Sequence, residues 1–213
     1  MYKTDIKLMA FVASAMFWGG GAIANDIYME QVGSGNTITI TQDGAGNKIS
    51  GTLGSTDNAY IESQGATVVI DQIGASNQLA ININNPNMAS GMTVTSVANG
   101  SGNEQTITCG SSGSPNCNAT TITQNINGND NKVSTTMSGG AVSSVISVTG
   151  NRNDVTHVAS GAGAHTANIA ITGSGASLQS PNVVSVTQGG ALAKSVSITS
   201  NGSNNNIAIT QSD

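Results

Sequence analysis

Few residues in this chain are of the types that carry out catalysis, and their spacing does not assemble an active site. The histidines are His157 and His165, and the cysteines are Cys109 and Cys117. A metal site built on the cysteines would need further ligands nearby, and the histidines lie far away in sequence. No Ser-His-Asp arrangement, paired carboxylate motif or phosphate-binding lysine loop occurs. The sequence therefore predicts a protein that is not an enzyme and binds no cofactor.

Two glycine pairs superficially look like dinucleotide-binding loops but fail the test of context. Gly33-x-Gly35 and Gly44-x-Gly46 precede segments that are typical of strands, whereas a dinucleotide loop leads into a helix. The aspartates are too sparse for the calcium-binding type of solenoid repeat. His157 lies on the inward side of its predicted strand, where a lone histidine more often packs than catalyses.

A short phrase, Gln-x-Gly-x-x-Asn, is repeated along the chain. It begins at Gln31, Gln42 and Gln72. A looser Gly-x-x-Asn core begins at Gly100, Gly128, Gly150 and Gly202. At Gly173 the pattern departs, because the asparagine position holds Ala176. Self-similarity over tens of residues is typical of a stacked repeat protein.

The segments between these phrases alternate apolar and polar residues. Residues 37–42 read Thr, Ile, Thr, Ile, Thr, Gln, which is the pattern of a strand with one buried face. The glycine-rich arc shifts this parity by one residue, so Asn47 and Ile49 point inward on the next strand. We therefore predict an all-β fold, a β-solenoid of stacked strand–arc–strand repeats with loop insertions near residues 84–90 and 160–165.

Buried amides favour this stacking because an unpaired buried amide is costly. In a stack, each amide bonds its equivalent about 4.8 Å above and below it. The glycines allow the arcs to adopt a positive φ or a close backbone approach. The predicted amide ladder is Gln31, Asn36, Gln42, Asn47, Gln72, Asn77, Asn103, Asn131, Asn153, Asn205 and Gln211. The predicted arc glycines are Gly33, Gly44, Gly74, Gly100, Gly128, Gly150 and Gly202.

The repeated phrase, followed by an apolar residue two places on, resembles the curlin repeat. The likeness is most specific over residues 29–83, and it is weaker but in phase near 94–107, 120–135, 144–157 and 196–211. Curlins are secreted bacterial subunits that assemble into extracellular amyloid. The resemblance implies a structural subunit of curli-like fibres for adhesion and biofilm matrix. It also implies three kinds of partner: other copies of the chain, related curlin subunits and the outer-membrane secretion machinery.

Fibre growth requires an end that can template the next copy. Unpaired strands at the end of an open stack do this unless they are capped. Residues 206–211 still have the pattern of a strand, and the sequence shows no charged or proline-rich cap beyond it. We therefore expect self-assembly by stacking of edge strands.

The first 24 residues have the pattern of a signal peptide. Lys3 and Lys7 precede an apolar run over residues 8–18, which is too short to span a bilayer. Ala22-Ile23-Ala24 is a small-x-small cleavage site. The predicted organisation is a signal peptide over 1–24 and a curlin-like β-solenoid over 25–213, without a transmembrane anchor. The expected location is extracellular or at the cell surface, reached through the periplasm.

The composition of the mature chain fits a thin stack of small side chains. Its only aromatic residues are Tyr28 and Tyr60, fewer than the several around which a conventional core is built. Removal of Lys3 and Lys7 from the six basic residues leaves four, against a larger number of acidic ones. Without a basic patch for phosphates, we expect no nucleic-acid partner.

The two cysteines flank a short loop near residues 109–117. In an exported protein, a disulfide between Cys109 and Cys117 that closes an insertion is the favoured interpretation. A metal site is the alternative.

Two other functions compete with the fibre. Outward rows at Thr37/Thr39/Thr41, Thr93/Thr95, Thr106/Thr108 and Thr121/Thr123 suggest an ice-binding solenoid, although threonine is also an ordinary outward residue of a strand. These rows end after Thr123. A non-amyloid secreted adhesin that binds a receptor through its loops is the third possibility.

The cleavage site can be tested directly. Because the small-x-small motif ends at Ala24, N-terminal sequencing of secreted protein should begin at Asn25. A secreted chain that retains Trp18 would contradict the prediction.

Overall fold

A computed structural model describes residues 25–27, 29, 37–57, 59–61, 65–83, 92–110, 120–138 and 142–213. Among these residues, no helix has the length and apolar character needed to cross a membrane. The predicted signal peptide and the positions Gln31, Gly33, Asn36 and Cys117 lie outside the described residues, as does the expected insertion near residues 84–90.

The described chain consists of strands joined by arcs and loops. The strands are β1 (Asp26–Ile27), β2 (Thr37–Asp43), β3 (Lys48–Ser50), β4 (Ala66–Ile73), β5 (Gln78–Ile81), β6 (Met92–Asn99), β7 (Glu104–Cys109), β8 (Thr121–Asn127), β9 (Lys132–Ser138), β10 (Val142–Thr149), β11 (Asn153–Ser160), β12 (His165–Thr172), β13 (Asn182–Gly189), β14 (Lys194–Asn201) and β15 (Asn206–Gln211).

These strands form two parallel sheets. The odd-numbered strands pair in the order β1-β3-β5-β7-β9-β11-β13-β15, which we name the odd sheet. The even-numbered strands pair as β14-β12-β10-β8-β6-β4-β2, which we name the even sheet. Successive strands alternate between the sheets, so the chain winds as a β-solenoid of about six turns. The predicted fold is confirmed.

Alternation along each strand creates the core between the two sheets. In β4 the side chains of Ala66, Val68, Ile70 and Gln72 are buried, and the residues between them are more exposed. The strands stack in register, so Val68 pairs with Ile38 on one side and with Val94 on the other. Many apolar side chains therefore pack on apolar ones in the next turn, although Ile70 lies beside Ser96.

The connection from an even strand to the following odd strand is a tight glycine arc. Gly128 has a φ of 142°, which L side chains rarely adopt. A Cβ on Gly128 would also overlap the carbonyl oxygen of Gly150 in the next arc. Gly202 has a φ of 107°, but a Cβ there would meet no following arc among the described residues, because Gly202 belongs to the last turn.

The connections from odd to even strands, which we name return connections, vary in length. The stretch over residues 160–165 is one of them and is not the expected insertion. Its backbone stacks on the following return connection: the amide of Gly163 donates to the carbonyl of Gly190 at 3.1 Å, and Gly190 donates to Ser160 at 3.2 Å. Glycines let these two connections approach each other closely.

The C-terminal end carries a small charged cap, contrary to the sequence-based expectation. The Asp213 carboxylate forms an ion pair with Lys194 and accepts a hydrogen bond from the amide of Ala191 at 2.7 Å. Its hydrogen bond to Lys194 is the main reason why the pKa of Asp213 is lowered. This cap covers the last return connection and leaves the glycine arc at Gly202 uncovered.

Candidate functional site: the asparagine ladder and its ends

An asparagine follows the glycine arc of each described turn, and the four interior members Asn77, Asn103, Asn131 and Asn153 make the same set of contacts. The backbone amide of Asn77 donates to Oδ1 of Asn47 at 3.0 Å, and its Nδ2 donates to that oxygen at 3.2 Å. The same Nδ2 donates to the carbonyl of Gly100, in the arc of the following turn, at 2.9 Å. Each asparagine therefore joins the turn before it to the turn after it.

This asparagine ladder runs the length of the described stack. The side-chain bond between neighbours is 3.0 Å from Asn103 to Asn77, 3.1 Å from Asn131 to Asn103 and 2.8 Å from Asn153 to Asn131. Neighbouring members are 22 to 30 residues apart in sequence, because loops of different length leave the turns. Its members among the described residues are Asn25, Asn47, Asn77, Asn103, Asn131, Asn153, Asn182 and Asn205.

Asn182 is a member that the sequence pattern missed. Its Nδ2 donates to Oδ1 of Asn153 at 2.8 Å and to the carbonyl of Gly202 at 3.2 Å. The chain makes a detour after Gly173, closed by the bridge between Ser177 and Ser180, and the ladder position is reached late. The sequence feature that could have identified Asn182 is an asparagine followed two places on by an apolar residue, Val184.

Asn25 is the second missed member, and it begins the ladder. Its Oδ1 accepts a hydrogen bond from the backbone amide of Asn47 at 2.9 Å, and its Nδ2 donates to the carbonyl of Gly44 at 3.1 Å. Asn25 makes these contacts from just before β1, the outermost strand of the odd sheet.

The arc glycines Gly44, Gly74, Gly100, Gly128, Gly150 and Gly202 stack in one column, with Gly173 as an additional member between the last two. Each carbonyl from Gly44 to Gly202 accepts a hydrogen bond from the asparagine of the preceding turn.

Four of the described glutamines form two separate pairs, Gln42 with Gln72 and Gln188 with Gln211. Gln42 donates to Oε1 of Gln72 at 2.8 Å, and the next residue in that column is Ala98. Gln211 lies in the other sheet, where it accepts a hydrogen bond from Gln188 at 3.0 Å. Gln42, Gln72 and Gln211 therefore pair with equivalent amides one turn away, as expected, but in columns separate from that of the asparagines.

His157 lies inside the core and holds polar groups of both sheets together. Its Nδ1 is 3.0 Å from Oγ of Ser144, and its Nε2 is 3.1 Å from Oε1 of Gln188. Burial lowers the pKa of His157; the hydrogen bond to Gln188 opposes this, and nearby His165 adds to it. Both ring nitrogens are engaged in the core, so the ring is a structural element of the stack.

Cys109 is buried and disulfide-bonded. Its pairing with Cys117 stays a prediction, because Cys117 lies outside the described residues. Among the described residues, no group of three or more His, Cys, Asp or Glu side chains could hold a metal ion.

The outward threonines are divided between the two faces of the solenoid. Thr106 and Thr108 lie on the odd sheet, whereas the other predicted rows lie on the even sheet. The even sheet nevertheless carries one unbroken column of hydroxyl residues, which continues beyond Thr123. Its members are Thr37, Thr67, Thr93, Thr121, Ser143, Thr166 and Ser195. The adjacent column is interrupted by Val69, Val145 and Asn168.

The two ends of the ladder differ. At the N-terminal end, Asn25 and β1 cover β3. At the C-terminal end, Nδ2 of Asn205 reaches only the nearby carbonyl of Asn201, at 3.4 Å, and no described residue donates to its Oδ1. The last turn thus ends in a ladder asparagine that bonds no following turn, and we name this end of the ladder the open rung.

In comparisons with known proteins, no family model, curated protein or solved structure matches this chain.

An interior rung should contribute more to stability than the terminal one. Asn131→Ala strands the amide of Asn153 and the carbonyl of Gly150, at about 1–3 kcal/mol for each group. Asn205→Ala should cost much less in the isolated chain, because the Asn205 side chain bonds only the carbonyl of Asn201 and no following turn depends on it. Urea unfolding of monomeric protein at neutral pH measures both changes, and equal losses would contradict the ladder's role.

Acid should weaken the fold through His157. The unfolded chain takes up a proton below a pKa of about 6.5, whereas the buried ring resists protonation. The free energy of unfolding should therefore fall as the pH drops below about 6.5, by up to roughly 1.4 kcal/mol per pH unit. Unfolding midpoints at pH 7.5 and 5.0 measure this loss. His157→Gln should reduce the difference between the two pH values, and an unchanged difference would exclude His157 as its source.

Proposed function

We propose that this protein is a structural subunit of curli-like extracellular amyloid fibres and that it assembles by end-to-end stacking of its turns. The observation that carries the proposal is the open rung at the C-terminal end. There, Asn205, the uncovered arc at Gly202 and the strands β14 and β15 present the same groups with which each interior turn binds the next one.

The interior of one chain supports this proposal because it already has the geometry of a cross-β stack. Parallel strands in register repeat at about 4.8 Å, and the amides form a ladder along the repeat. A second copy on the open end would make no new type of contact. It would use the strand pairs and asparagine-ladder bonds that already hold one turn to the next.

The edges of the two sheets support association at the ends of the solenoid. Strand edges expose unpaired amides and carbonyls, which readily pair with another strand. β15 alternates exposed and half-buried side chains, and its inward Ile207 and Ile209 pack only partly against the core. A stacked copy would cover these side chains and remove apolar surface from water.

The sequence supports the location and partners of such a fibre. The leader over residues 1–24 is of the exported type. Besides other copies of this chain, the proposed partners are related curlin subunits and the outer-membrane secretion machinery, which follow from the curlin-like repeats.

An ice-binding face is the second candidate, and the unbroken hydroxyl column of the even sheet favours it. A flat face of regularly spaced hydroxyls can order water. The interrupted neighbouring column leaves a single row instead of the expected paired rows.

The experiment starts from purified mature protein, residues 25–213, at neutral pH. We expect fibres with reflections near 4.8 and 10 Å. Asn205→Ala should raise the critical concentration roughly tenfold or more, because each new junction loses about 1–3 kcal/mol of amide pairing. Asn201→Ala changes the same residue type on the outer face of the same turn, so it is the matched control and should assemble normally.

Assays of ice recrystallisation separate the two candidates. Thr67→Ser and Thr93→Ser keep the hydroxyls but remove methyl groups from the outer face, so fibre growth should be unchanged. Protein that stays monomeric, inhibits ice recrystallisation and loses that activity in the threonine variants would overturn the fibre proposal.

A further inference from the structure

The two sheets contain different numbers of strands, and this has a consequence for stacking. Among the described residues, the odd sheet has eight strands and the even sheet has seven. Successive strands alternate between the sheets, so an uninterrupted stack of copies needs equal numbers from each chain. If all fifteen strands stayed in place, β15 of one copy would lie on β1 of the next. A gap one strand wide would then separate β14 of the first copy from β2 of the next copy.

β1 is the weaker of the two end strands of the odd sheet. It pairs with β3 through two residues, Asp26 with Lys48 and Ile27 with Ile49. β15 pairs with β13 through six residues, from Asn206 to Gln211. The surplus strand in a stack of copies is therefore β1.

β1 and β15 also have the same residue pattern, a ladder asparagine followed by inward apolar residues two and four positions later. Each follows a ladder asparagine, Asn25 or Asn205. Ile27 and Met29 pack partly against one end of the core, as Ile207 and Ile209 do at the other end. The N-terminal segment thus occupies the position that β15 of a preceding copy would take.

We propose that the edge of β3 and the Gly44 arc, which β1 covers in the isolated chain, form the docking site for β15 of a second copy, and that β1 is displaced when this copy docks. The inference rests on the proposed fibre function and identifies the surface at which fibres grow.

The incoming strand can take over every ladder contact that β1 relinquishes. Oδ1 of the incoming Asn205 would accept the hydrogen bond from the amide of Asn47 that Asn25 now accepts. Its Nδ2 would donate to the carbonyl of Gly44, as Asn25 does now at 3.1 Å. Both hydrogen bonds that Asn25 makes with the receiving copy are thereby kept.

The exchange gains a second strand pair that β1 cannot provide. With β1 displaced, β14 of the incoming copy lies directly beside β2. The register of the even sheet then pairs Ser195–Asn201 with Thr37–Asp43, which is seven residue pairs. The half-buried Ile38 and Ile40 of β2 would be covered by Val196 and Ile198.

An unpartnered buried atom supports this register independently. Oε1 of Gln42 is buried and accepts no hydrogen bond from the described residues, because Gln42 uses only its Nε2, toward Gln72. In the column of Gln42 and Gln72, the residue on β14 is Ser200. Docking places the Ser200 hydroxyl of the incoming copy beside Gln42, where it can donate to this oxygen.

Matched variants of the two end strands test the exchange in the mature chain. Ile27→Ser with Met29→Ser weakens β1, whereas Ile207→Ser with Ile209→Ser makes the equivalent change in β15. If β1 is detached from the β3 edge in about one molecule in ten, that edge limits growth in the unmodified protein. The first variant should then elongate seeded fibres roughly tenfold faster. The β15 variant should elongate at least tenfold more slowly, because it lacks the docking strand.

Hydrogen exchange read by mass spectrometry gives a second readout. Peptides covering residues 25–29 should lose protection when monomer becomes fibre, whereas peptides covering 206–211 should gain it. Slower elongation of the β1 variant, or retained protection of residues 25–29 in fibres, would overturn the exchange and leave the fibre function standing. Absence of cross-β fibres from wild-type protein under any condition would overturn both.

Discussion

The structure depends on one interaction, the pairing of an asparagine side chain with its equivalents one turn away. Each interior amide accepts hydrogen bonds from the following turn and donates to the arc of that turn and to the preceding asparagine. A buried amide without these partners would destabilise the fold, and in the stack it joins successive turns. This contact fixes the register, because a slip of one residue would move the ladder out of the core.

The remaining features follow from the need to bring successive turns to the spacing of paired strands. The arcs need glycine at positions such as Gly128, since a side chain there would overlap the next arc. The core is thin, so isoleucine, valine and alanine fill it in place of aromatic residues. Polar groups that enter this core, such as His157, bond across it to both sheets.

A stack of equivalent turns has ends that cannot be equivalent to its interior. Repeat proteins usually protect such ends with atypical capping repeats. Here the protection is slight: the Asp213–Lys194 pair covers one corner of the last turn, and β1 covers one strand of the first. Such weakly covered ends fit the proposed role of the chain as a fibre subunit, which must stay monomeric until its ends pair with another copy.

Sequence alone determined the solenoid, the inward parity of the strands and the positions of most ladder asparagines. These are properties of local spacing, because the period of alternation and the glycine arc recur whatever the length of the loops. The same local rule failed at Ala176, where the tertiary structure brings Asn182 into the ladder after a detour. It also grouped Gln211 with the asparagines, although the fold places Gln211 in a different column.

Only the tertiary structure decided which turns neighbour each other and how the stack ends. The role of Asn25, the division of the threonines between two faces and the unequal strand numbers of the two sheets all depend on residues distant in sequence. A repeat pattern specifies what one turn is like, but it does not count the turns in each sheet. That count depends on where the chain enters and leaves the stack, and the strands at those two points define the surfaces available to another copy.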